Sequence, residues 1–238
     1  MRDGSFPSML VMAGTLCCGP LACNQSDPMG STTSDSDQDP SDESGPPPPD
    51  GDYYPLVDGA TWTYRHTDVG GVVWDEIVQM RELDYQGTAA FEIEDNEDTD
   101  DESTLAVLVR DGTMTLRVHK DVSLGGVPTG SADYDPGFLR FDEAWQEGDV
   151  SMWSYERTEY DAAGVLVGQA PRDMVFTIES SSTEVTVPAG TFDCVQLLRA
   201  RIDNGDLKRY WFARGVGKVK HESLVTGATE ELAEYAIP

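Results

Sequence analysis

Residues 183–220, TEVTVPAGTFDCVQLLRARIDNGDLKRYWFARGVGKVK, constrain this chain more than any other stretch, because they spell strands joined by recognisable turns. Val185 and Val187 alternate with polar residues as a half-buried strand does. Pro188 then removes a ladder donor and presets the first position of a turn that Gly190 completes. The next strand places Phe192, Cys194, Leu198, Ala200 and Ile202 on one face and runs to Asn204-Gly205. That dipeptide favours a two-residue type I′ turn, since both positions tolerate positive φ. Such a turn sets Ile202 opposite Leu207, Leu198 opposite Trp211 and Arg199 opposite Tyr210. Leu197 opposite Phe212 makes the far end apolar on both faces, which implies a curved sheet partly covered on its second side.

Other hairpins follow the same rule. Trp62, Tyr64 and His66 share a face, and a three-residue loop at Val69-Gly70-Gly71 sets His66 against Trp74, Trp62 against Val78 and Arg65 against Asp75. A two-residue loop would turn Trp74 to the polar face, so the longer one is predicted. Asp111-Gly112 predicts another I′ turn, pairing Val109 with Met114, Val107 with Leu116 and Leu105 with Val118. Residues 123–137 read as a Gly/Pro-rich loop and 141–146 as a short helix. Trp153 and Tyr155 share a later strand, and a last hairpin turns at Thr226-Gly227-Ala228. The sum is an all-β fold of about ten to twelve antiparallel strands, a curved meander sheet or open barrel.

Charge divides the chain differently. The formal net charge is −28; residues 24–52 hold eight acids and no Lys or Arg, residues 1–23 cancel, and residues 53–238 carry −20. A surface of that sign repels phosphates, which argues against nucleic acid as a partner. Residues 24–52 contain no aromatic or branched aliphatic side chain and are expected to be a disordered acidic linker. The start, with a short apolar run at 9–16 and Leu21-Ala22-Cys23, resembles a bacterial lipoprotein signal. That resemblance implies that residues 1–23 act as a signal, that Cys23 is acylated, and that the domain at 53–238 is tied by lipid to the outer membrane of the cell envelope. Cys17 and Cys18 would then leave with the signal. Cys194, among apolar neighbours, reads as a small buried hydrophobe and not a nucleophile.

Catalytic signatures are few. There is no Gly-x-Ser-x-Gly, and His221-Glu222 lacks the second histidine of a zincin helix. Residues 92–102 carry eight acids in eleven, yet from Asp98 the Gly of an EF-hand loop is replaced by Ser103 and its last Glu by Val109. Gly215-x-Gly217 precedes a strand instead of a helix, so no dinucleotide loop is expected. Neither a cofactor nor a metal is expected, and catalysis is disfavoured. Trp62, Tyr64, Trp153, Tyr155 and Trp211 remain as candidates to line the concave side of the sheet. There they would form a groove for an acyl chain or another amphiphile; as plain core residues they would need no ligand.

Two separated signatures, Tyr54-Pro55-Leu56…Gly59…Trp62-x-Tyr64 and Val187-x-Ala189-Gly190-Thr191-Phe192-x-Cys194…Tyr210-Trp211…Ala213-x-Gly215-Val216-Gly217-x-Val219-Lys220, resemble a widespread set of bacterial secreted proteins and lipoproteins. The resemblance implies an antiparallel β fold similar to the incomplete barrels of LolA-like periplasmic lipoprotein carriers, and it implies no activity. The expected function is that of a nonenzymatic lipid-anchored envelope domain that binds an amphiphile or an envelope protein. The alternatives are a secreted hydrolase using carboxylates and a calcium-stabilised surface or adhesion module.

Overall fold

A computed structural model describes residues 51–238. Twelve strands follow in order: β1 (Thr61–Thr67), β2 (Val73–Tyr85), β3 (Thr88–Asp95), β4 (Glu102–Asp111), β5 (Met114–Leu124), β6 (Val127–Asp142), β7 (Val150–Asp161), β8 (Leu166–Val187), β9 (Gly190–Arg201), β10 (Leu207–Ala213), β11 (Gly217–Ser223) and β12 (Thr229–Ala236). Each pairs with its sequence neighbours, and β1 also pairs with β12, so the all-β meander is a closed barrel. The barrel expected as one of two alternatives is present, and it is closed instead of open. The seam runs from Thr61 opposite Ala236 to Thr67 opposite Thr229, and it leaves no unpaired edge. Twelve strands enclose more space than side chains readily fill, whereas about eight close tightly. The interior therefore holds aromatic rings, long cations and cavities.

The β1–β2 register is the one predicted: His66 faces Trp74, Trp62 faces Val78, and Arg65 pairs with Asp75 at 3.0 Å. Two other hairpins sit two residues from their predicted registers. In β9–β10 the last ladder pair is Ala200 with Leu207, so Leu198 faces Arg209 and Trp211 faces Gln196. The loop is wider because Asp203 is held by both Arg201 (2.7 Å) and Arg172 (2.8 Å). Ile202 is carried into that loop and is 60% exposed. Val195, Leu197 and Arg199 are buried in β9, whereas Leu198 is only half-buried. In β4–β5 Asp111 faces Met114, so the turn is Gly112-Thr113. Thr104, Ala106 and Leu108 face the interior cavity in β4, in place of Leu105, Val107 and Val109. Residues 105–109 are apolar at every position, so alternation could not choose between their faces.

Residues 123–137 are not a loop. Gly125-Gly126 turns β5 into β6, and β6 then runs to Asp142, ending in turns where a short helix was expected. Glycine is required twice within that strand. A Cβ at Gly130 would lie 2.6 Å from the Tyr160 carbonyl oxygen, and one at Gly137 would lie 2.9 Å from the Leu116 Cβ.

The two ends of the barrel differ. Residues 51–57 cross one end: the Tyr53 and Tyr54 amides donate to the Glu143 carboxylate at 3.0 and 2.9 Å, and the Gly215 amide donates to the Asp52 carbonyl at 2.9 Å. Tyr53 packs on Phe141 and Tyr54 on Phe212, which caps that end. At the opposite end five of the six hairpin tips expose an aliphatic residue: Val69, Leu124, Val165, Ile202 and Val225. The sixth, between β3 and β4, carries the acidic run. There Asp98 accepts hydrogen bonds from the Asp100 and Glu102 amides, and Asp95 accepts from Thr104.

Candidate functional site

Eight strands, β1 to β6 with β11 and β12, contribute to one cavity of about 240 Å³, which only the inside of the barrel allows. A second cavity of about 440 Å³ lies toward β7 and shares Arg117 and Lys120 with the first. Val78, Met80, Ile93, Ala106 and Leu108 give the first cavity an apolar wall. Its polar side chains include Arg117, Lys120, Arg140, Lys218, His66, Glu76, Asp95 and Glu230.

The charge inside is opposite to the charge of the chain. The two cavities together are lined by six cations, Arg117, Lys120, Arg140, Arg157, Arg201 and Lys218, and by four carboxylates, Glu76, Asp95, Glu159 and Glu230. The whole chain holds 44 Asp and Glu against 16 Lys and Arg. Cations have been gathered inward.

Local irregularity places three of them. The β5–β6 ladder breaks register three times. One break leaves Arg140 outside the pairing between Leu139 opposite Leu116 and Phe141 opposite Thr115. Another, at Val118, lets Arg117 and Lys120 line the same cavity although they are three residues apart. Bulges redirect side chains in this way, and a strict two-residue period cannot foresee it. The Arg117 guanidinium stands 4.7 Å from the Tyr134 ring centre and 4.6 Å from that of Phe138, and its buried Nε has no hydrogen-bond partner. Burial lowers the Arg117 pKa to about 10. Burial, then the Arg117 charge, lowers Lys120.

The remaining charges pair with one another, although His221 Nε2 is buried without a hydrogen-bond partner. Lys218 pairs with Glu230, whose other oxygen lies 3.2 Å from His221 Nδ1, and His66 Nε2 lies 3.1 Å from Glu76. His221 stacks on Tyr210 at 4.9 Å, and His66 stacks on Trp74 at the same separation. Burial pushes the Glu230 carboxyl upward, but Lys218 and then His221 outweigh it and hold the acid well below the usual carboxylate range. Burial lowers His221. His66, Glu76 and Glu230 bring ligand atoms within 4.8 Å of one another, although the Lys218 ammonium already neutralises Glu230 there. A hydrolase would need a protonated carboxyl free to act. Asp95 is raised by burial, yet its oxygens accept from Thr104, one of these bonds being 2.6 Å.

The five aromatic candidates separate. Trp62 and Tyr64 line the first cavity, with their polar tips spent on backbone: Trp62 Nε1 donates to Val216 O at 2.7 Å and Tyr64 OH to Lys218 O at 3.1 Å. Tyr155 lines the second cavity. Trp153 lines neither; it packs against the core and donates to Gly137 O at 2.8 Å. Trp211 also lines neither and lies on the opposite face of β10 from Tyr210 and Phe212, donating to Gln196 at 3.1 Å. The two-residue change of register sets it beside Gln196 instead of Leu198. Cys194 is a free thiol, 1% exposed, and burial pushes it up to about 12. Cys23, the rest of the signal and residues 24–50 of the linker lie outside the described residues, whereas residues 51 and 52, expected to be disordered with the linker, belong to the cap. Arg117, Lys120 and Arg140 did not stand out in the sequence, where cations at strand positions look like ordinary surface residues.

No protein-family model and no curated protein matches this chain. Among solved structures, it is similar to a "putative lipoprotein" from Parabacteroides distasonis ATCC 8503, at 14% identity and a TM-score of 0.40, over 79% of this chain and 100% of that one. It is also similar to a "putative exported protein with YmcC-like fold" from Bacteroides fragilis NCTC 9343, at 14% identity and a TM-score of 0.44, over 78% of this chain and 99% of that one. The functional reading rests on this chain's own cavity.

Proposed function

We propose that the protein is a nonenzymatic, lipid-anchored protein of the cell envelope whose barrel holds an amphiphile. The cavity lined from eight strands carries this reading, because it joins an apolar wall to a small set of converging polar groups, the usual composition of a small-molecule site. Trp62 and Tyr64 are its aromatic contacts, and Tyr155 lines the adjoining second cavity. Residues 51–57 cap one end, so a ligand passes the other, where the exposed aliphatic tips give an acyl chain an apolar threshold. Cys23 supplies the outer-membrane anchor and residues 24–52 the spacer between anchor and barrel.

Native mass spectrometry of the protein extracted from its own membranes tests the reading directly. A lipid-sized adduct is expected. Clean apo protein with no affinity for hydrophobic probes rejects it, and a protein-sized adduct would mean an envelope partner instead. Cys23→Ser should lose the acyl mass and leave the membrane fraction; a variant that stays there rejects the anchor.

A further inference from the structure

We infer that the cavity takes an anionic amphiphile, holding its carboxylate or phosphate head on Arg117, Lys120 and Arg140 and its chain along Trp62, Val78 and Leu108. This rests on the amphiphile reading and adds the charge of the ligand and the residues that read it.

Charge within the first cavity is unevenly paired. Glu76 has His66 and Glu230 has Lys218 and His221 as partners, whereas Asp95 accepts from the neutral Thr104 and acts on Lys120 only from beyond ion-pair range. Among the described residues, no carboxylate oxygen lies within ion-pair range of Arg117, Lys120 or Arg140. Scarcity of acids is not the cause, because the chain has 44 of them. A cation drawn partly out of water without a counter-ion carries a desolvation cost that no opposite charge offsets. Folds retain such costs where a ligand supplies the missing charge. The guanidinium of Arg117 is also oriented, fixed between Tyr134 and Phe138 with an unsatisfied Nε. Guanidinium forks match carboxylate and phosphate oxygens in paired hydrogen bonds. The apolar wall beside them suits a chain and not a second charge.

Intrinsic tryptophan fluorescence, reporting through Trp62, tests this with the full chain carrying Cys23→Ser, titrated with decanoate, decyl phosphate and decanol. At least one anion is expected to bind ten-fold or more tightly than decanol, and the tighter of the two identifies the head group. Arg117→Gln with Arg140→Gln should abolish the preference while leaving decanol affinity unchanged. If that double variant loses decanol as well, Lys120→Gln provides the same comparison in an intact cavity. Equal binding of decanol and both anions overturns the head-group assignment and leaves the amphiphile reading standing. Failure of all three to bind overturns the amphiphile reading itself. An undiminished preference in the variants overturns the choice of residues.

Discussion

Within a single cavity, Glu230 and Arg117 show two ways of burying charge. Glu230 is surrounded by Lys218 and His221 and is held ionised; its removal leaves a charge orphaned. Arg117 lies among aromatic rings with no carboxylate in ion-pair range, and burial lowers its pKa. The first arrangement builds the barrel, and the second keeps a place open. The contrast explains why net charge misleads here: an acidic chain conceals a cationic interior.

The largest expected effect breaks the paired network. Lys218→Met should destabilise the fold by about 3–5 kcal/mol in denaturant unfolding, because Glu230 is left buried beside His221 alone. Lys218→Met combined with Glu230→Leu should recover much of that loss; a sum of two full losses would mean the pair is not a unit.

Arg117→Met should move stability the other way. It keeps apolar contact with Tyr134 and Phe138 but removes the unpaired charge, so the apo protein should melt higher, by about 2–4 °C for each kcal/mol relieved. A fall in melting temperature would assign Arg117 to the structural class with Glu230.

Acid should act on the network before the cationic cluster. His221 and Glu230 are both lowered in the folded state from ordinary values of 6.5 and 4.5, so the unfolded chain takes up protons that the fold refuses. Stability is therefore full above those values and falls as pH drops, first below about 6.5 and further below about 4.5. Melting curves from pH 7 to 4 should show this, with a shallower lower limb in Glu230→Gln. The smallest effect belongs to the outer surface. Asp75→Asn, which breaks the exposed pair with Arg65, should leave the melting temperature nearly unchanged.

How much of this was legible depends on where the ladder is regular. The β1–β2 register could be read because a wrong loop length would have turned Trp74 to the polar face. Asn204-Gly205 marked a real turn but not its width, since Asp203 is fixed by Arg172, a residue on another strand; Asp111-Gly112 marked a turn of the right width that lies one residue later, at Gly112-Thr113. All-β class, strand number and the inert character of Cys194 follow from pattern and composition. The cationic cluster does not, because the bulges that aim Arg117, Lys120 and Arg140 depend on mismatches between strands that no single strand reveals.

The seam between β1 and β12 has a kinetic consequence. Thr61 meets Ala236 there, so the contact that completes the cavity is among the most distant in sequence that the chain makes. Loop-closure entropy defers such contacts until the intervening hairpins have shortened the path. The two hydrogen-bonding edges therefore stay open until the last strand is available, and during that interval the nascent sheet can pair with another chain. Sealing the barrel ends that exposure and forms the ligand site in the same step.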